Sequence, residues 1–102
     1  MQSYRIIVST AAISDLDGIV DYIVRHNLPD AGNRYRFRVV EKLKSLEYSA
    51  DSLPFSRMNM ARRIHPNAKC MSIMNRKWTV VFHIDVPFVV IDRILPSSLM
   101  TY

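Results

Sequence analysis

Disulfide-stapled, zinc-bound and membrane-spanning architectures are all poorly served by this chain. A single cysteine, Cys70, in 102 residues excludes an internal disulfide. No cysteine–histidine group has the spacing of a zinc site. No apolar run approaches the ~18–20 residues that a membrane span needs. The opening MQSYRIIVST lacks the basic segment and long apolar stretch of a secretory signal. Acid is missing from one whole block, residues 57–77. The chain therefore reads as cytoplasmic, free of metal and cofactor, and of a length for one domain over residues 1–102 with one core.

The missing acid sets the charge pattern. Residues 57–77 hold Arg57, Arg62, Arg63, Lys69, Arg76 and Lys77, a local charge of +6 in a chain whose net charge is +5. Such a block is either a solvated basic face or the seat of an anionic partner, nucleic acid or an acidic protein segment.

The apolar pattern gives the elements. Tyr4, Ile6 and Val8 alternate with Ser3, Arg5 and Ile7, predicting a strand over 3–8. Ile13, Leu16, Val20, Ile23 and Val24 recur at helical spacing, predicting a helix over 11–26. Ser14 or Thr10 is the expected cap, with Asp15 and Asp17 as helix-start acids. Pro29 opens a second helix, over 29–49, with Ala31, Tyr35, Val39, Leu43 and Leu46 in one stripe. Residues 50–61 show no period and read as loop. Strands follow over 70–74, 78–84 and 88–95, with turns at 75–77 and 85–87. Strands apolar on both faces belong at the centre of a sheet. The expected fold is a two-layer α+β domain of order β-α-α-β-β-β, its helical hairpin covering one face of a mainly antiparallel sheet.

That order, with YRIIVS, Asp15-Leu16, Ile19, Tyr22-Ile23, Ala31, Leu43 and Leu46, resembles the ParE/RelE superfamily of toxins from type II toxin–antitoxin (plasmid stabilisation) systems. Trp78 to Asp85 and Val89 to Leu95, the latter ending in Arg93-Ile94-Leu95, complete the resemblance. It implies a cytoplasmic bacterial protein that inhibits growth and is neutralised by a cognate antitoxin. ParE-like members act on DNA gyrase; RelE-like members cut mRNA on the ribosome. The tail Pro96–Tyr102 lacks the arginine, histidine and tyrosine that RelE-like chains place there, apart from Tyr102, so the likeness favours ParE. A relative that only binds, with toxicity lost, is a third reading. The resemblance leaves open a homodimer or a toxin–antitoxin hetero-oligomer.

Particular residues carry these alternatives. RNA cleavage would draw on Arg62, Arg63, Arg76 and Tyr102, with His65 and His83 as further proton carriers. His83 also reads as a satisfied strand histidine, and His65 as an exposed turn residue. Gyrase or antitoxin binding would draw on Arg57, Met58, Met60, Arg62, Arg63, Leu99 and Met100. Arg93 competes as a structural ion pair. Trp78 reads as core. A disordered acidic antitoxin is expected to cover the basic, partly apolar surface by folding on it, as a helix in a groove or a strand on a sheet edge.

Overall fold

The computed structural model describes residues 3–27 and 29–100. Strand β1 (Arg5–Val8) leads into helix α1 (Thr10–His26) and helix α2 (Pro29–Lys44). A short helix α3 (Leu46–Ser49) and a 3-10 turn follow, then helix α4 (Asn59–Ile64). Strands β2 (Lys69–Ile73), β3 (Trp78–Asp85) and β4 (Phe88–Pro96) complete the chain. One four-stranded sheet results, in the order β1-β4-β3-β2. β3 pairs antiparallel with both neighbours, and β1 lies parallel to β4. The two-layer α+β architecture is the one the sequence pattern predicts.

The two central strands are buried on both sides because something covers each side. On one side Val80, Phe82, Val89, Ile91 and Ile94 pack with Leu16, Ile19 and Val20 of α1 and Val39 and Leu43 of α2. On the other, Val81 and Leu95 pack with Ala61 of α4 and Ala68. The cover on this second side is helical where the sequence predicts loop. Six residues are too few to show a helical period, which hides α4.

Three details correct the sequence reading. The cap of α1 is Ser9, whose hydroxyl accepts from the Ala12 N–H at 3.0 Å. With the helix starting one residue earlier, no acid lies in its first turn. The second helix does not run through to residue 49. It stops at Lys44, and Ser45 donates its hydroxyl to the Lys42 carbonyl at 2.6 Å. Such local bonding by serine competes with the helical ladder. In the α1–α2 hairpin, a Cβ on Gly32 would lie 2.4 Å from a methyl of Val24, so the helices approach there without a side chain between them.

Asp15 is the residue that joins the layers. β1 stops at Val8, opposite Ile91, so the edge of β4 beyond that point has no strand beside it. The chain stays close for one more residue. Ser9 donates its N–H to the Ile91 carbonyl at 3.0 Å and its hydroxyl to the Asp92 carbonyl at 2.8 Å. Asp15, in the second turn of α1, then takes the place of the missing strand. Its carboxylate accepts from the Ile94 N–H at 2.9 Å and from Arg93 Nε and Nη2 at 2.8 and 3.0 Å. The Asp15 carboxylate, by its hydrogen bond first, holds the Arg93 guanidinium above its ordinary pKa.

Replacing Asp15 by alanine should lower the unfolding free energy by about 2–3 kcal/mol. It removes three bonds to a charged acceptor, while Arg93, at 40% side-chain exposure, can still reach water. Asp15→Asn, which keeps one acceptor oxygen, should cost less; equal losses in urea titrations would contradict this account. Gly18 sits in mid-helix, and a Cβ added there would meet nothing within 4 Å, so Gly18→Ala should stabilise by about 0.5–1 kcal/mol. Tyr4 donates to Asp51 at 2.6 Å, and that bond, with burial, raises its pKa. A raised folded value means a contribution complete below the ordinary tyrosine range near ~10 and lost as pH climbs through the folded value. Tyr4→Phe should therefore flatten the alkaline fall in stability; an unchanged slope counts against it.

Candidate functional site

Two surfaces gather the chain's polar chemistry, one on each side of the sheet. The first begins at an irregularity in β4. Val81 pairs with Arg93 but the next residue, Phe82, pairs with Ile91, which leaves Asp92 as a bulge. A bulge re-aims its side chain. The Asp92 carboxylate lies 2.7 Å from His83 Nδ1, and both side chains are largely buried. His65, just past the end of α4, stacks on His83 with ring centroids 3.7 Å apart and planes 2° from parallel. The N–H of Asn67 donates to His65 Nδ1 at 3.0 Å, so His65 carries its proton on Nε2 when neutral. The satisfied-histidine reading of His83 holds. That of His65 as an exposed turn residue does not, because its ring is half-buried against a second ring. An imidazole oriented by a carboxylate is also the arrangement that a general base requires.

Around this pair, α4 presents Arg62 and Arg63 to solvent, with Arg57 exposed before it. Met58, Met60 and Met100 are half-buried and pack together against Ala61, Val81 and Leu95. They help close the second core, so Met58 and Met60, which the sequence reading takes as exposed, are half-buried where α4 packs on the sheet. Leu99, in a single 3-10 turn after β4, is 52% exposed. Arg57, Met58, Met60, Arg62, Arg63 and Met100 thus share one side of the molecule. Burial raises the Cys70 thiol above its ordinary pKa, partly offset by a hydrogen bond with Ser56, so it is a poor thiolate.

The second surface lies on the helical side. A groove of about 750 Å³ runs between α2 and β2 with its turn, lined by Arg38, Lys42, Arg76 and Lys77 over Met71 and Met74. Arg76 belongs here and not with Arg62 and Arg63, so the four groups expected to serve phosphate chemistry are divided. Tyr102 lies outside the described residues. Arg38 and Lys42 are absent from the candidates that the sequence suggests, because each reads singly as a solvent-facing position of a helix. Their signal is the spacing Arg34, Arg38, Lys42, each four residues on, which places three cations on one helix face.

Lys69, counted in the basic block, faces inward. It is 7% exposed, donates to the Ala50 carbonyl at 3.2 Å and lies 5.1 Å from the centre of the Phe55 ring. Trp78 is half-buried and donates Nε1–H to Tyr35 Oη at 2.7 Å. Among the described residues no group of histidines, cysteines and carboxylates is placed to hold a metal, and no helix is long and apolar enough to cross a membrane.

No protein-family model matches the chain, and no curated protein matches it. A solved structure does. A chain of the chromosomal ParDE TA system from P. aeruginosa superposes with a TM-score of 0.77 over 92% of this chain and 96% of its own, at 19% sequence identity. The two share a fold.

Proposed function

We propose that this chain is the toxin of a type II toxin–antitoxin pair, a ParE-like inhibitor of DNA gyrase that a cognate antitoxin holds inactive in the cytoplasm. The observation that carries the reading is the likeness in fold, along nearly the whole of both chains, to a chain of a ParDE system. Gyrase is favoured over RNA by how the cations are distributed. Cleaving RNA through its 2′-hydroxyl calls for cations and proton carriers at one phosphate. Arg76 faces the groove beside α2, while Arg62 and Arg63 stand on α4 across the sheet. The segment after β4 adds only Ser97, Ser98, Leu99 and Met100 among the described residues. An inhibitor needs only a surface, and Arg57, Arg62 and Arg63 supply exposed charge on the face that Met58, Met60 and Met100 underpin.

One observation favours the ribonuclease reading, the His83–Asp92 pair with His65 stacked on it. Induction of the chain in cells separates the two. A gyrase poison should produce linear chromosome fragments and a DNA-damage response with mRNA intact, and co-expression of the antitoxin should abolish both. Codon-phased mRNA cuts that vanish in His83→Gln would reverse the ranking. Growth unaffected by a folded, soluble chain would point to a relative that binds without poisoning.

A further inference from the structure

We infer that the groove between α2 and β2 seats the phosphate backbone of duplex DNA, bound without regard to sequence. The choice of DNA over RNA rests on the function proposed above, because DNA gyrase acts on duplex DNA. The preference for a phosphate backbone rests on the groove alone.

Cations wall the groove on both sides. Arg38 and Lys42 of α2 stand on one side and Arg76 and Lys77 of the β2–β3 turn on the other, with no carboxylate in the lining among the described residues. Arg34 continues the row one turn back along α2. All five are exposed, and none has an acidic partner within salt-bridge distance among the described residues. The chain does pair cations elsewhere, Arg36 of the same helix with Asp17 and Arg93 with Asp15. Like charges four apart on a helix repel, and the facing wall adds more of the same sign. The groove is therefore a concentration of positive potential that only an anionic occupant relieves.

The rest of the lining suits phosphate oxygens. Ser72 and Asn75 are exposed there and offer a hydroxyl and an amide. β2 is an edge strand, so the N–H groups it turns away from β3 are further donors. Arginine, lysine, serine, asparagine and backbone N–H are the groups that contact phosphates, and such contacts carry no sequence information. From Arg34 to Lys42 the helix rises ~12 Å. One strand of a duplex passes between three and four phosphates in that length, at ~3.4 Å each.

Other anionic occupants fit less well. An acidic protein segment draws most of its affinity from apolar burial, since exposed ion pairs add little. Met71 and Met74, the apolar side chains at hand, are half-buried and already pack against the core. A nucleic acid gains instead from release of the counterions it holds. Single strands bind by stacking their bases on aromatic rings. The aromatic side chain of the lining is Tyr35, half-buried and held by the Trp78 indole. A duplex keeps its bases stacked inside and presents only backbone.

The test follows a short fluorescent DNA duplex by anisotropy with the full chain over a range of salt. Two unrelated sequences should bind alike, with a slope of log affinity on log salt of about −4 to −5 for five phosphate contacts. Arg38→Glu with Lys42→Glu should weaken binding by roughly tenfold or more and flatten the slope by about 2. Arg5→Glu with Lys44→Glu changes the net charge equally, at exposed positions on β1 and on the flank of α2 that faces it. That variant should keep most of the affinity. Equal losses in the two folded variants would overturn the groove, leaving attraction by net charge alone. Tighter binding of duplex RNA would overturn the choice of DNA, and displacement of the duplex by a tighter-binding polyglutamate would make the groove a protein site. If DNA binds as expected and the chain leaves gyrase supercoiling untouched, the toxin reading fails and the groove stands. If the chain poisons gyrase and the Arg38 and Lys42 variant binds DNA as the parent does, the groove fails and the toxin reading stands.

Discussion

The Asp15 carboxylate is the interaction on which the arrangement of the layers depends. A strand that ends early leaves the second half of β4 with open backbone donors, and a helix lying over the sheet has no backbone group to offer them. Asp15 answers both with one side chain, taking the Ile94 N–H and both reachable arms of Arg93. The helix is thereby fixed in translation along the strand as well as in distance from it, something the apolar contacts of Leu16 and Ile19 do not specify by themselves. Hydrophobic burial is indifferent to small slides; a bidentate ion pair with a third bond to the backbone is not.

The same stretch explains why a nearly continuous apolar sequence carries Asp92 and Arg93. Each is drawn to a partner that the topology supplies, His83 across the ladder and Asp15 across the layer. The bulge aims Asp92 at His83, while Arg93 beside it turns to Asp15. The basic and histidine-bearing surfaces both hang from this frame: the His83 ring stands on β3 opposite the bulge, and the groove lies at the far edge of the same sheet.

Much of this frame is legible in the sequence because it rests on long patterns. Helices of sixteen or seventeen residues and strands of eight or nine repeat their period often enough to be read. Short devices are not legible. Six residues of α4 show no period, and without α4 the partial burial of Met58 and Met60 is hidden too. Pairings across long separations, such as Arg93 with Asp15, leave only the general competition between an ion pair and a catalytic role. The candidate sites fare worse for a simple reason. Charge summed over blocks of sequence counts Lys69, which is buried, and dilutes Arg34, Arg38 and Lys42 with Glu41, Glu47 and Asp51. Electrostatics belongs to faces, and faces are set by helical phase and strand order.

The sheet is open at both ends, with β1 at one edge and β2 at the other. Two copies of such a sheet joined head to tail, the β1 edge of one against the β2 edge of the next, would make a heterologous contact, which closes only as a ring and otherwise grows without end. The cations along the β2 edge bear on this. A second copy approaching that edge brings its own net charge of +5, so the approach is opposed at long range before any backbone bond can form. β1, at four residues, offers little length for pairing in return. The cations beside the β2 edge thus oppose the approach of a second copy to that edge, where the sheet has backbone groups left to pair.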